Sequence, residues 1–126
     1  MVAFNFSPEH APKVESGEKC MTVRRTKRGD VGDRSQLYTG QRTPACRKLR
    51  QDDPPLVAVT YCAIRPGYLT LGNTDGWPRT MDDFARADGF ADYKAMLAWF
   101  EARYGSPYFT GFAHAWAPLP KGGRDG

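Results

Sequence analysis

Between Gly17 and Arg24 the chain reads GEKCMTVR, and three of its side chains are suited to chemistry: Lys19, Thr22 and Arg24. Cys20 to Arg24 alternates like a strand, with Met21 and Val23 facing a core and Thr22 and Arg24 sharing the opposite face. Lys19, at an odd offset, reaches the same space only from the turn that precedes the strand. An arginine fork in such a cleft suits a phosphate or a carbonyl oxygen. The lysine is a mobile cation, or a base where its pKa falls. Partial burial and the like charges of Arg24 and Arg25 both act in that direction. The competing assignment is a polar strand face with solvated cations.

The neighbourhood is strongly basic. Arg25, Lys27 and Arg28 extend the run, and residues 19–50 carry ten Lys and Arg against Asp30 and Asp33, a net charge of +8, while the rest of the chain sums to −4. A basic half beside an acidic half is a candidate footprint for a polyanion such as RNA, and also fits a soluble surface with a chance cluster. Arg42, Arg47, Lys48 and Arg50 can follow a phosphate backbone or keep a loop solvated. Tyr38, Tyr68 and Trp77 are candidates for stacking on bases, with ordinary packing as the alternative, more so for Trp77. Trp99 and Trp116 read as core, and His114 as a structural histidine.

These residues need elements to hold them. At 126 residues, with 40% hydrophobic and 13% aromatic content, the chain is long enough for one domain with a modest core. Thirteen Gly and ten Pro suit short strands joined by turns. VAFNF reads as a first strand. A short helix follows, started by Pro8 or Pro12 and stopped at Gly17. Strands are predicted at Met21–Arg24, over RSQLYTG and over LVAVTYCAI, the last read as central to the sheet by its apolar content. QRTPACRKLRQDDPP reads as a polar connection, and RPGYLTLGNTDGWPR as a hairpin or loop excursion. Thr80 and Asp83 mark the start of a helix over MDDFARAD, which stops at Gly89. A second helix starts near Asp92, its buried stripe made by Tyr93, Met96, Leu97, Phe100 and Tyr104. YFTGFAHAW is the closing strand, and residues 119–126 read as a flexible tail. The class is α+β with a largely antiparallel, curled sheet.

Three cysteines without a CxxC pair, and two histidines at no ligand spacing, point to neither a disulfide framework nor a metal site. No signal peptide or membrane span is visible, so a cytoplasmic protein with reduced thiols is the default.

Gly17-x-Lys19-x-x-Thr22-x-Arg24 resembles the GxKxxTxR motif of ASCH domains, members of the PUA-like superfamily. GDVGDRSQLYTGQRT resembles the Gly-Asp turn and following strand of that family, and FARADGFADYKAMLAWFEARYG followed by FAHAW resembles its helical insertion and closing strand. The resemblance spans most of residues 2–116, with residues 1–118 as the domain. It implies a small curled β-barrel with flanking helices and a cleft beside the motif, a partner that is RNA or a nucleoside-like ligand, and no cofactor. One branch of the family is an amidohydrolase acting on acetylated cytidine through a Lys, a Thr nucleophile and a Glu. Lys19 and Thr22 match the first two. Asp88, one methylene shorter, stands where the Glu is expected. Other members are described as ribonucleases on single-stranded RNA, and a binding module without catalysis is the remaining alternative. The resemblance thus implies Lys19, Thr22 and Asp88 as catalytic, and Arg24, Arg25, Lys27, Tyr38 and Arg42 as ligand contacts.

Overall fold

The computed structural model describes residues 1–119. Its elements run β1 (Val2–Phe6), α1 (Ala11–Ser16), β2 (Met21–Arg24), β3 (Ser35–Thr39), β4 (Arg47–Lys48), β5 (Ala58–Arg65), β6 (Tyr68–Leu71), α2 (Met81–Ala87), α3 (Tyr93–Tyr104) and β7 (Phe109–Ala115). The helix boundaries follow their local chemistry. Pro12 opens α1, and Gly17 closes it in the left-handed region at φ 87°. The Thr80 hydroxyl accepts from the Asp83 amide at 3.1 Å to start α2, and the Asp92 carboxylate accepts from the Ala95 amide at 2.8 Å to start α3.

The fold class is α+β, with strands in two sheets. β2, β7, β5 and β6 form an antiparallel sheet in that order, and β1, β3 and β4 form a second. The largely antiparallel expectation holds for the larger sheet, but β1 pairs with β3 in parallel, Val2 opposite Ser35 and Phe6 opposite Thr39. The long connection through α1 and β2 makes room for that crossover. Among the described residues the ladders do not close into a barrel. β4 is only two residues within the polar connection, too short to carry a period, and β6 lies in the stretch read as a hairpin or loop; it pairs with β5, Leu69 opposite Ile64. β5 lies inside the sheet, between β7 and β6, as its apolar content led one to expect.

Each sheet has its own core. Met21, Val23, Cys62, Ile64 and Phe109 pack against α2 and α3 through Phe84, Met96 and Phe100. Phe4, Phe6, Val14, Leu37, Leu56 and Trp116 form the second cluster around β1, β3 and α1. Leu119 is buried in the first cluster, so ordered packing extends into the segment read as tail; 120–126 lie outside the described residues. Cys20 and Cys62 are buried thiols and Cys46 is exposed, and burial pushes the Cys62 thiol up to about 12.

Side chains join the sheets where ladders do not. β1 turns the Ala3 and Asn5 carbonyls away from β3. Arg28 Nη2 donates to Ala3 O at 3.2 Å, and Arg24 Nη2 donates to Asn5 O at 3.1 Å. The Arg28 amide donates to His114 Nε2 at 3.0 Å, and the His114 ring lies 5.2 Å from Phe4. His114 is therefore a buried structural residue at the junction, and burial lowers its pKa from the ordinary 6.5 to about 4. Its folded pKa lies below the unfolded one, so the unfolded chain takes up this proton first as pH falls. The stability tied to neutral His114 is complete above about 6.5 and drains away toward about 4, by at most about 3 kcal/mol at 1.36 kcal/mol per unit. Urea melts across that window should show falling stability in the wild type and a flatter profile in His114→Gln. Equal slopes in the two proteins would remove His114 from this role.

Candidate functional site

The site begins in the loop between α1 and β2. The Lys19 amide donates to Lys13 O at 2.9 Å, and the Cys20 amide to Ala87 O at 2.9 Å, so this loop is pinned both to α1 and to the end of α2. Asp88 follows directly as the C-terminal cap of α2. Lys19 and Asp88 are 4% and 3% exposed. Lys19 Nζ donates to the Asp88 carbonyl at 2.8 Å and also to its carboxylate Oδ1. Two ionisable groups 69 residues apart are thus locked together in a nearly dry place.

Burial dominates both titrations. It lowers the pKa of Lys19 and raises that of Asp88, while their mutual attraction opposes each shift. Arg24 presses Lys19 further down. The two groups are drawn together in proton affinity, which makes exchange of a proton between them easier than between their solvated counterparts.

Thr22 and Arg24 project from the β2 face assigned to them by alternation. Arg24 Nε donates to Thr22 Oγ1 at 3.1 Å, which orients the hydroxyl oxygen and leaves its hydrogen uncommitted to that contact. The Arg24 guanidinium also lies 5.2 Å from the Phe4 ring centroid and 5.3 Å from that of Phe6. Lys19, Thr22, Arg24 and Asp88 all line one open pocket of about 250 Å³.

The other four expected contacts lie elsewhere. Arg25 places its guanidinium 4.8 Å from the ring centroids of both Tyr104 and Phe109, and it is not among the groups that shift Lys19. Lys27 is exposed and pairs with Asp30 at 2.6 Å. Tyr38 sits on β3 opposite Lys48, and Arg42 is in the exposed loop after β3 with φ 68°. None of the four lines the pocket. The cationic segment is also heavily neutralised: Lys19, Lys27, Arg47, Lys48 and Arg50 all make ion pairs, four of them with acids outside residues 19–50.

Several lining residues carried no site signal in the sequence. His10, Phe90, Trp99, Arg103 and Tyr104 complete the wall. Trp99, read as core, is only partly buried, and its indole N–H donates to Glu9 Oε2 at 3.2 Å. The His10 ring packs edge-on against Trp99 at 5.2 Å. A helical projection of α3 hints at this wall, because Trp99 and Arg103 are four apart and flank the Phe100–Tyr104 stripe. Trp77, by contrast, is buried against Phe84, and Trp116 is buried beside Phe6, as packing residues. Among the described residues no group of three or more His, Cys, Asp or Glu is placed to hold a metal ion, and no helix is long and apolar enough to cross a membrane.

No protein-family model, curated protein or solved structure matches the chain.

The shifts of Lys19 and Asp88 both run toward the neutral forms, because burial outweighs the attraction between them. Asp88→Ala should cost about 3–5 kcal/mol, since it strands a buried ammonium. The double variant Lys19→Met, Asp88→Leu should recover most of that loss in urea melts. A double variant no more stable than Asp88→Ala would show that the pair is held for stability.

Proposed function

We propose that the pocket binds a modified nucleoside and hydrolyses an acyl group from its exocyclic amine, as the resemblance to the acetylcytidine branch of the ASCH domains implies. One observation carries the reading: Lys19 and Asp88 meet in the pocket that Thr22 and Arg24 also line. The size of the pocket favours a nucleoside over a long RNA strand, and so does the ion pairing of the basic segment. The PUA-like barrel belongs to this proposal too, with the Arg24 and Arg28 contacts to β1 standing at the seam where a closed ladder would run.

The chemistry follows from the shifted pair. In the tautomer with neutral Lys19 and protonated Asp88, the lysine takes the Thr22 hydroxyl proton as Oγ1 attacks the acyl carbon. Arg24 faces the oxyanion that forms. Collapse breaks the carbon–nitrogen bond, and the leaving amine takes its proton from the Asp88 carboxyl. Lys19, now protonated, passes its proton along the hydrogen bond to the Asp88 carboxylate, which restores both neutral groups. Water then attacks the acyl-threonine with Lys19 taking its proton, and the threonine oxygen takes that proton back as it leaves, releasing the carboxylic acid and restoring the hydroxyl. Arg24→Lys keeps the charge but loses the planar fork and the Nε contact to Thr22.

A second reading rests on the two hydrogen bonds that Lys19 already donates to Asp88, which suit a purely structural pair in a binding module. Incubation with acylated cytidine, read by mass spectrometry, separates the two. The hydrolase is expected to release free cytidine, with Thr22→Ala reducing turnover at least about 10²-fold and Thr22→Ser restoring part of it. Thr22→Ala is only mildly disruptive, so its folding is checked by circular dichroism. Absence of turnover across acyl groups of different length, or full activity in Thr22→Ala, would refute the threonine mechanism.

A further inference from the structure

The charges lining the pocket do not cancel. Three cations and one carboxylate face it: Lys19, Arg24 and Arg103 against Asp88. Lys19 is consumed by Asp88, which leaves two guanidinium groups. Arg24 donates to the Thr22 hydroxyl and the Asn5 carbonyl, both uncharged, and makes no ion pair among the described residues. Arg103 sits in the last turn of α3, exposed, with its guanidinium 5.3 Å from the Tyr104 ring centroid. It too has no carboxylate partner among the described residues. Glu9, beside the rim, is engaged by the Trp99 indole N–H. Burial, and then Lys19, lower the pKa of His10, so the imidazole adds no charge at neutral pH.

An uncharged acylated nucleoside answers Arg24 with its acyl oxygen and leaves Arg103 unanswered. We propose that the pocket is built for a nucleoside monophosphate, with Arg24 kept for the acyl end beside Thr22, the base against the aromatic wall and the phosphate monoester held by Arg103 at the rim, so that Arg103 selects phosphorylated over unphosphorylated ligand. The unpaired planar fork of Arg103 is of the kind that binds a phosphate dianion bidentately. Phe90 and Trp99, both partly buried, line the same pocket and offer apolar surface to a base. An arginine in the last turn of a helix also complements the helix dipole, so the test reads ligand preference and not stability. The inference deepens the proposed hydrolase by naming its substrate class, but binding alone decides it.

Calorimetry at low salt compares cytidine with cytidine monophosphate on the whole protein. The monophosphate is expected to bind at least about tenfold more tightly, the scale of one good charge-assisted contact. Arg103→Ala should shrink that ratio to within about threefold, and Arg103→Glu should bring it to one or below. Equal affinities in the wild type, no binding of either ligand, or a preference that survives both substitutions would overturn the inference. A protein that prefers the monophosphate but hydrolyses no acylated cytidine or cytidine monophosphate keeps this site and loses the hydrolase. One that hydrolyses acylated cytidine without the preference keeps the hydrolase and loses this site.

Discussion

The contact between Lys19 and Asp88 is the constraint on which the rest of the site depends. It ties the loop before β2 to the end of α2, and its surroundings repeat the same tie. Lys13 Nζ reaches the Gly89 carbonyl at 2.5 Å, and the Cys20 amide reaches Ala87 O at 2.9 Å. Gly89 itself sits at φ 90°, and a Cβ there would come within 3.3 Å of the Lys19 side chain. The left-handed backbone and the close approach both call for glycine at this position. With the loop fixed from three sides, β2 enters the sheet in the one register that aims Thr22 and Arg24 at the pocket.

The pocket therefore lies at a boundary. β2 is the edge strand of the larger sheet, and β1 is an edge of the smaller one. Edge strands leave backbone groups that need partners. Here guanidinium groups supply them, and Arg24 serves twice, donating to the Asn5 carbonyl of β1 and to the Thr22 hydroxyl of its own strand. A residue that holds two sheets together while orienting a candidate nucleophile couples the position of the site to the integrity of the fold.

Much of this was legible in the chain, for reasons that can be named. Period-two alternation put Met21 and Val23 inward and Thr22 and Arg24 outward, and both pairs lie as expected. Cap residues fixed the helices, because Gly17, Thr80, Asp92 and Gly105 act within one turn of sequence. Long-range geometry was less accessible. The proximity of Asp88 to Lys19 came from the family resemblance, since no local rule relates a helix cap to a loop 69 residues earlier. The parallel pairing of β1 with β3 depends on a crossover, and β4 is too short to show a period. Counting charge along the chain overstated the basic face, because Arg47, Lys48 and Arg50 find acids that folding or the next few residues bring to them. His10 and Arg103 carried no site signal and Trp99 read as core, because each fits ordinary helix or loop chemistry locally.

The central claim is that Lys19 and Asp88 behave as one proton-sharing unit inside the pocket. Nuclear magnetic resonance tests it most directly, by following the Lys19 Nζ and Asp88 Cγ signals through a pH titration. The result expected is coupled titration, in which both signals report the same steps, with Lys19 losing its proton below the ordinary lysine value and Asp88 taking one up above the ordinary aspartate value. Two independent transitions, near ~10.4 for the lysine and ~3.9 for the aspartate, would contradict it.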